Sequence, residues 1–337
     1  MYASPWRRTI YVGRSTFDRA ATDFQKGNAM HQNGFVHLTR SFGHGMSRRA
    51  VLNRFAGAGA LAALAAAKGP TPAFARFAPA RAGTAFEGDA LMAQTPPTAE
   101  TAPTVVLVHG AFADAGSWAG VVLALQAAGI NVQAPANPLR GVSSDAAYIA
   151  SVANQTPGPV VLVGHSYGGV VISNAAPQAA NVVGLVYVAA FLPDEGETLL
   201  SLAEQATDSL IGPALRPTQF PTGDSAAPGT EFYVDPASFT SVVAADLPAE
   251  QAAVLAASQR PASDKTFGEP SGPVGWKSLP SWAAISPSDL AIGPSGERFM
   301  AERAGAEIVE IDGSHLLMIS QAQAVTDLIL KAVKAVS

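Results

Sequence analysis

The chain has 337 residues, of which 48% are hydrophobic and 14% charged, and its formal net charge is −5. This length is enough for one large globular domain with additions. Cysteine is absent from the sequence, which excludes disulfides, thiolate nucleophiles and cysteine-ligated metals.

The N-terminal part of the chain has the pattern of an export signal. Residues 1–45 show no sustained periodicity, and we interpret them as an upstream extension before a true start at Met46. Two arginines then precede an uncharged Ala/Gly/Leu stretch, Phe55 to Ala67, which is followed by Ala73-Phe74-Ala75. This order of basic region, short apolar region and A-x-A cleavage site predicts a signal peptide over residues 46–75.

The paired arginines of this segment resemble the twin-arginine export type. We therefore expect twin-arginine-type export machinery as a partner and a periplasmic or extracellular location. The apolar stretch is too short to span a bilayer, so no stable membrane insertion is expected after cleavage. A buried alanine-rich helix is the alternative interpretation.

Signal cleavage would change the charge balance. Residues 1–75 hold 10 of the 21 Lys and Arg but only 2 of the 26 Asp and Glu, so the remainder has 11 basic and 24 acidic residues, a formal charge of −13. An acidic domain of this kind argues against nucleic acid and anionic membrane surfaces as partners. Residues 76–102 are rich in Ala, Pro and Thr, and this composition predicts a linker.

From Pro103 the chain alternates strand and helix patterns. The predicted strands are Val105–Val108, Ile130–Ala134, Val160–Val163, Val182–Val188, Trp282–Ile285 and Ile308–Ile311. The predicted helices are Ser117–Ala128, Asp145–Asn154, the stretch after Tyr167, Ser295–Ala304 and Gln321–Val336. This alternation predicts an α/β fold with a mainly parallel sheet, covered by helices on both faces. The ligand site then belongs at the carboxyl ends of the strands.

Residues 194–275 interrupt the alternation and separate the two parts of the predicted core, residues 103–193 and 276–337. The interruption is dense in Pro and Gly and has little strand content, but it carries many apolar and aromatic residues. A structureless loop of this length is unusual in a compact domain. We predict a small, mainly helical cap over the strand ends, with a disordered surface insertion as the alternative.

A G-x-S-x-G motif, residues 164–168, lies between a predicted strand and a predicted helix. In this context the motif forms a sharp turn that lifts a serine hydroxyl above the sheet edge. Gly164 and Gly168 are needed because the turn has no room for side chains, and Gly169 serves the same requirement. The sequence therefore predicts Ser166 as a nucleophile, and a glycine-rich junction without chemistry is the alternative.

A nucleophilic serine needs a histidine base that is oriented by a carboxylate. Three of the six histidines fall in residues 1–45, and His165 lies beside the nucleophile. His109 follows the first strand, and we expect it to hydrogen-bond within its loop rather than take part in the chemistry. His315, on the loop after the last predicted strand, is left as the base.

The carboxylate partner of the base has three candidates. Asp289 follows the strand Trp282–Ile285 and lies between nucleophile and base in sequence, as this motif class requires. Asp194 follows an earlier strand, and Asp312 is close to His315 on the same loop. Asp289 is the preferred candidate.

Acyl transfer also requires N–H groups that stabilise the oxyanion, one of them from the residue after the nucleophile. That residue is Tyr167. The second group is expected from the loop that begins at His109, where Gly110 permits close approach. Ala111 is the first choice and Phe112 the reserve.

Several segments together resemble the α/β-hydrolase superfamily, in particular the branch that holds the plant methyl esterases, the hydroxynitrile lyases and many bacterial esterases. They are His109-Gly110-Ala111, Gly164-His165-Ser166-Tyr167-Gly168-Gly169, Phe191 to Glu197, Asp289 to Pro294 and Gly313-Ser314-His315. The resemblance covers Pro103 to the C-terminus. It implies Ser166, Asp289 and His315 as a catalytic triad, and its Asp-x-x-Ile-x-Pro match favours Asp289 over the other acids. It also implies a cap between the sixth and seventh strands of the family sheet, whose two opening strands are absent in this branch.

The same resemblance points to ester hydrolysis rather than cyanide release. The lyases of the branch have a threonine after the oxyanion-loop histidine and a lysine after the catalytic histidine, where this chain has Gly110 and Leu316. We expect a serine esterase for small or medium apolar or aryl esters, with no metal or organic cofactor. A lactonase, an amidase, a carbon–carbon hydrolase and a non-catalytic binding protein are the alternatives. The expected pocket residues are Phe112, Trp118, Phe191, Leu316 and Met318, each of which would fit a plain core position as well.

Overall fold

Nine strands form two sheets in residues 102–223 and 227–337, the part of the chain that the computed structural model describes. The strands are β1 (Thr104–Val108), β2 (Val132–Gln133), β3 (Val160–Ser166), β4 (Val182–Ala190), β5 (Leu215–Phe220), β6 (Gly229–Val234), β7 (Ala262–Ser263), β8 (Ser281–Ile285) and β9 (Glu307–Glu310). The predicted extension, signal peptide and nearly all of the predicted linker lie outside the described residues.

Eleven α-helices accompany these strands in the described part of the chain. They are α1 (Ala119–Ala127), α2 (Val142–Gln155), α3 (Tyr167–Ala175), α4 (Leu199–Ala203), α5 (Ile211–Ala214), α6 (Pro236–Val243), α7 (Ala249–Ala257), α8 (Asp264–Gly268), α9 (Pro294–Arg303), α10 (Leu317–Ser320) and α11 (Ala322–Ala335). Short 3-10 turns cover Ala115–Trp118, Ala176–Gln178 and Gly275–Lys277. None of the helices of residues 102–223 and 227–337 is both long enough and apolar enough to cross a membrane.

The main sheet has six strands in the order β2-β1-β3-β4-β8-β9, and every pairing is parallel. This confirms the predicted parallel sheet. Each predicted strand of the core is present, although β2 is limited to two residues because only Val132 and Gln133 pair with β1 at this edge. Because all six strands run parallel, the loops that follow their carboxyl ends meet at one edge of the sheet.

The sheet is buried on both faces, as parallel sheets with crossover helices are. Alternate residues of β1 point to opposite faces: Val106 belongs to the apolar cluster that contains α2, α3 and α9, whereas Val105 and Leu107 belong to the cluster that contains α1 and α11. The β-branched run of β1 therefore has packing partners on both sides, which explains its strand conformation.

Residues 194–275, which we call the cap segment, contain five helices, α4 to α8, and the three-stranded antiparallel sheet β5-β6-β7 in their described part, which leaves out residues 224–226. The helices agree with the expectation of a mainly helical segment. The sequence suggested little strand content, and this expectation is wrong because β5 and β6 form a hairpin. Four of the six residues of β5 are exposed, and Pro217 suits such an edge strand. A strand without a buried face shows no apolar alternation, so its pattern was not recognisable.

The cap segment contacts the loops at the carboxyl edge of the main sheet. The N–H of Phe112, after β1, donates to the carbonyl of Arg260 at 3.0 Å, and the N–H of Ser263 donates to the carbonyl of Leu139, after β2, at 3.0 Å. Arg140 also forms an ion pair of 2.8 Å with Glu231. These bonds place the cap segment against the edge where the candidate site lies.

Candidate active site

Ser166 occupies the turn between β3 and α3. It is the last residue of the strand, and its backbone has φ 53° and ψ −125°. A positive φ is rare for a residue other than glycine and marks strain that the surrounding structure must hold. The side chain lies at the carboxyl end of an interior strand and is 8% exposed. The motif therefore has the strand-to-helix context that the sequence predicted.

Three glycines around this turn have no room for a side chain. A Cβ atom added to Gly164 would lie 2.5 Å from the carbonyl oxygen of Gly168, and one added to Gly168 would lie 2.3 Å from that of Val108. One added to Gly169 would lie 2.3 Å from the carbonyl oxygen of Phe191. Because these obstacles are backbone atoms, the predicted need for glycine at these positions is confirmed.

His315 and Asp289 form a buried pair. Nδ1 of the histidine lies 2.6 Å from Oδ2 of the aspartate, and the two side chains are 6% and 0% exposed. The other carboxylate oxygen accepts hydrogen bonds from the N–H groups of Ala291 and Ile292, at 2.6 and 3.1 Å. Burial opposes ionisation of Asp289, but the charge of His315, its hydrogen bond to the aspartate and the hydrogen bond from the N–H of Ile292 lower the pKa of the aspartate. An ionised carboxylate thus accepts the Nδ1–H, which leaves Nε2 as the proton acceptor of the neutral ring.

His165 connects the turn of Ser166 with the loop of His315. Its Nε2–H donates to the backbone carbonyl of His315 at 2.9 Å, and the centroids of the two rings are 4.6 Å apart. Burial lowers the pKa of His165 well below its ordinary value, and the charge of His315 lowers it further. His165 therefore stays neutral. Its place beside Ser166 was clear from the sequence, but its bond to the distant loop was not.

The loop after β1 approaches Ser166 closely at Gly110. A Cβ atom added to Gly110 would lie 2.6 Å from the Cβ of Ser166. In the described part of the chain, the N–H of Ala111 has no hydrogen-bond partner. The N–H of Phe112, in contrast, is bonded to Arg260. The reserve choice of Phe112 as an oxyanion donor is therefore corrected, because its only backbone proton is already in use.

Tyr167 is fixed by its side chain. Its hydroxyl donates to the carboxylate of Asp145 at 2.9 Å, and both side chains are almost completely buried. Burial raises the pKa of Asp145, while hydrogen bonds from the N–H of Arg140 and from Tyr167 act in the opposite direction. Because Tyr167 is the first residue of α3, its N–H has no acceptor within the helix. Among the described residues this N–H has no hydrogen-bond acceptor, and the side chain holds the group in place.

His109 makes local hydrogen bonds, as the sequence predicted. Its Nδ1 lies 2.9 Å from the carbonyl oxygen of Gly110, and its Nε2 accepts the backbone N–H of Asn137 at 2.9 Å. The side-chain amide of Asn137 also donates to the carbonyl of His109. The histidine therefore joins the loop after β1 to the loop after β2.

The two other candidate acids lie elsewhere. Asp194 forms an ion pair with Lys277, and Asp312 is exposed. Within the described residues, neither carboxylate is bonded to His315. Asp289 is the acid that the fold brings to the base.

Most of the expected pocket residues lie in the core. The four residues with at most 4% exposure are Trp118, Phe191, Leu316 and Met318. Phe112 is partly exposed and packs against both apolar clusters. The first four are core side chains in this structure and their place in a pocket stays a prediction, whereas Phe112 offers partly exposed surface as a candidate pocket residue.

Two acids near the pair were not identified from the sequence. Glu297 lies in the first turn of α9 and is 2% exposed. Asp246, in the cap segment, accepts a hydrogen bond from Ser314, which precedes His315. A glutamate at the start of a helix and an aspartate in a loop are ordinary sequence features, so only the tertiary contacts reveal their proximity to the pair.

A curated protein from Nocardioides sp. (strain SG-4G), described as a carbendazim hydrolyzing esterase, is 32% identical to this chain over 114 residues. The alignment covers 30% of this chain and 47% of that protein. The chain therefore spans about half the length of the curated relative that it matches.

Solved structures with a similar fold include polyneuridine aldehyde esterase, with a TM-score of 0.58, 21% identity, and coverage of 68% of this chain and 98% of that one. The methylesterase MES16 from Arabidopsis has a TM-score of 0.57 and 19% identity, and the coverage is 69% and 99%. Methylketone Synthase I from tomato has a TM-score of 0.57 and 21% identity, and the coverage is 70% and 99%. These likenesses support the fold.

The sequence profile of the Alpha/beta hydrolase family matches residues 105–328. This match covers the main sheet from β1 to β9 and all of the candidate site. The chain belongs to the alpha/beta hydrolase family.

Proposed function

We propose that this protein is a serine esterase that cleaves carboxylic esters of small or medium apolar or aryl substrates through an acyl-enzyme. The observation that carries the proposal is the buried His315–Asp289 hydrogen bond of 2.6 Å, which His165 connects to the strained turn of Ser166. The similarity to a carbendazim hydrolyzing esterase supports ester hydrolysis as the reaction class.

In the first half of the proposed reaction, Ser166 attacks the ester carbonyl carbon while Nε2 of His315 takes the hydroxyl proton. The negative charge that develops on the carbonyl oxygen is bound by the N–H groups of Ala111 and Tyr167. Collapse of the tetrahedral intermediate breaks the ester C–O bond, and His315 returns the proton to the leaving alcohol. Asp289 remains ionised and stabilises the imidazolium.

In the second half, a water molecule replaces the alcohol. His315 removes one of its protons as the water oxygen attacks the acyl carbon, and the same two N–H groups bind the oxyanion. The intermediate collapses to the free acid and regenerates the hydroxyl of Ser166. Atoms and charge balance without any further group.

The preference for apolar esters rests on the surroundings of the site. Phe112 offers a partly exposed aromatic ring beside the oxyanion loop, and the cap segment is bonded to the same loop through Arg260. Lactones, amides and carbon–carbon substrates would use the same groups, so they belong in the substrate panel.

The decisive experiment combines active-site labelling with turnover. The full chain, its Ser166→Ala variant and a Ser151→Ala control, in which an exposed serine is changed, are treated with a fluorescent organophosphonate. Hydrolysis of nitrophenyl esters, lactones, amides and carbendazim is followed in parallel. Labelling and ester turnover that both vanish only in Ser166→Ala are the expected result. A folded wild type that neither labels nor hydrolyses any of these compounds would contradict the proposal and favour a binding protein.

We also propose that the protein is exported to the periplasm or beyond, on the sequence of residues 46–75 alone. The mature N-terminus from the native host should begin near residue 76. Recovery of peptides from residues 2–45 in the mature protein would contradict both the export proposal and the start at Met46.

A further inference from the structure

Glu297 is a carboxylic acid buried without a cation. Its side chain is 2% exposed, and the described residues supply no lysine or arginine that pairs with it. The ionisable groups that face it are Asp289 from the loop after β8, His315 from the loop after β9, and Asp208 from the cap segment. Two of these three groups are themselves acids, so an ionised Glu297 would be strongly disfavoured here.

The hydrogen bonds of Glu297 indicate where a proton is needed. Oε2 accepts the backbone N–H of Ser286 at 2.9 Å. Oε1 is buried and has no donor within the described part of the chain. One oxygen of Glu297, one oxygen of Asp289 and one ring nitrogen of His315 all lie within 4.8 Å of one another. A single proton on Glu297 would remove the repulsion between the two carboxyl groups and satisfy the unpartnered atom.

We propose that Glu297 is protonated and donates a hydrogen bond to the Asp289 carboxylate, which makes it a positioning residue for the Asp289–His315 pair. The positioning role rests on the proposed function, whereas the protonation of Glu297 does not.

The electrostatics of the two carboxyl groups support a protonated Glu297 beside an ionised Asp289. Burial raises the pKa of Glu297 well above its ordinary value, and the charge of Asp289 raises it further. Burial acts on Asp289 as well, but the charge of His315 and hydrogen bonds from His315 and Glu297 lower its pKa. The environment thus moves the two groups in opposite directions, which is the pattern of paired acids with separate roles.

A protonated Glu297 would contribute two properties to the pair. It would fix the plane of the Asp289 carboxylate, and it would keep only one negative charge beside His315. A second charge would stabilise the imidazolium and so keep the base protonated over more of the pH range.

A bound cation is the other arrangement that these three side chains suggest, because they have the composition of a metal site. Ligand atoms around a tetrahedral Zn²⁺, with bonds of about 2.0–2.2 Å, are separated by roughly 3.3–3.6 Å. Nδ1 of His315 and Oδ2 of Asp289 are 2.6 Å apart, which is the distance of a charge-assisted hydrogen bond. The spacing favours the shared proton.

The protonation is tested without reference to activity. Infrared spectra of the full chain at neutral pH should contain the C=O band of a protonated carboxyl group. The band should persist in Glu302→Gln, an exposed control on the same helix, and disappear in Glu297→Gln. A wild type without the band overturns the proposal.

The positioning role is tested by kcat/KM as a function of pH. Glu297→Leu removes the donor and should lower kcat/KM by about 10- to 100-fold through misplacement of the pair. Glu297→Gln supplies a neutral N–H donor and should have a kcat/KM close to that of the wild type. Its kcat/KM should also fall at the same acidic pH as that of the wild type. If the fall of kcat/KM at acidic pH occurs about one pH unit lower in Glu297→Gln than in the wild type, the wild-type residue is ionised. A folded Glu297→Leu variant with the wild-type pH profile would exclude the positioning role.

The two proposals fail in different ways. If the wild type is not labelled by the organophosphonate, the esterase proposal and the positioning role are both overturned, while the infrared band still reports whether Glu297 carries the proton. If the wild type is an active esterase and the band is missing, only the inference about Glu297 is overturned.

Discussion

Asp246 of the cap segment accepts a hydrogen bond from the hydroxyl of Ser314, the residue directly before His315. The same loop is also held by Ser286, which follows β8 and whose hydroxyl donates to the carbonyl of Gly313. The position of the proposed base is therefore determined partly by the main sheet and partly by the cap segment.

Asp246→Ala should lower kcat/KM about tenfold, because a hydrogen bond to a carboxylate contributes about 1.5–3 kcal/mol and part of it fixes the loop of His315. Ser314→Ala removes the same bond, so the double variant should be little worse than either single one. Ester hydrolysis by all three variants is the measurement. Glu250→Ala, an exposed acid on α7, serves as the control, and additive losses in the double variant would contradict the shared bond.

Asp289→Asn should reduce kcat by about 10⁴-fold with folding intact, because an amide at this position no longer accepts the Nδ1–H and favours the wrong tautomer of the histidine. Asp194→Asn is the matched control, since that carboxylate pairs with Lys277 on the surface. Steady-state kinetics and circular dichroism check both variants. Near-normal turnover in Asp289→Asn, with loss in Asp194→Asn, would transfer the role to Asp194.

Gly110→Ala should abolish turnover. The added Cβ would lie 2.6 Å from the Cβ of Ser166 and 2.8 Å from the carbonyl oxygen of His165, so either the nucleophile or the oxyanion loop has to move. Gly129→Ala is a useful comparison, because that glycine has a positive φ but no atom within 4 Å of the added Cβ; it should lose stability but keep its kcat. Wild-type kcat in Gly110→Ala would exclude the proposed oxyanion geometry.

His109 should make stability fall in mild acid. Its folded pKa is lowered to about 4, chiefly by burial, from an ordinary 6.5, and its Nε2 already accepts the N–H of Asn137. Below pH 6.5 the unfolded chain therefore binds a proton that the folded chain does not, and the free energy of unfolding decreases until about pH 4. Between pH 7 and 5 the loss is about 2 kcal/mol.

Urea unfolding at several pH values measures this loss. His109→Gln keeps a hydrogen-bond acceptor but does not titrate, so its stability should depend less on pH, even if the variant is less stable at pH 7. Parallel pH dependences for the wild type and the variant would show that His109 is protonated in the folded state or does not contribute.

The main sheet could be predicted because its strands are short apolar runs with β-branched residues that alternate with helical segments. Ser166 was identifiable from its motif, and His315 by elimination among six histidines. The bonds between distant loops could not be predicted. Glu297 and Asp246 look like surface acids in the sequence, and only the packing of α9 and the cap segment places them beside the pair.

The β5–β6 hairpin was missed for a different reason. Its first strand is largely exposed, so apolar periodicity, which reports burial, contains no information about it. The same limit applies to Phe112, whose N–H donates to the carbonyl of Arg260 in the cap segment. Sequence patterns report which faces are buried, but they do not report which backbone groups a distant segment will satisfy.

The bond between His165 and His315 spans 150 residues of sequence, so its two partners are synthesised at different times. At about 5–20 residues per second, a ribosome needs on the order of 10 s to make the intervening chain. During this time β4 can pair with β3 but not with β8, its other neighbour, and its apolar edge is open to aggregation. The β8 edge of β4 therefore stays unpaired until Ser281–Ile285 leave the ribosome, and the site is not assembled before His315 follows.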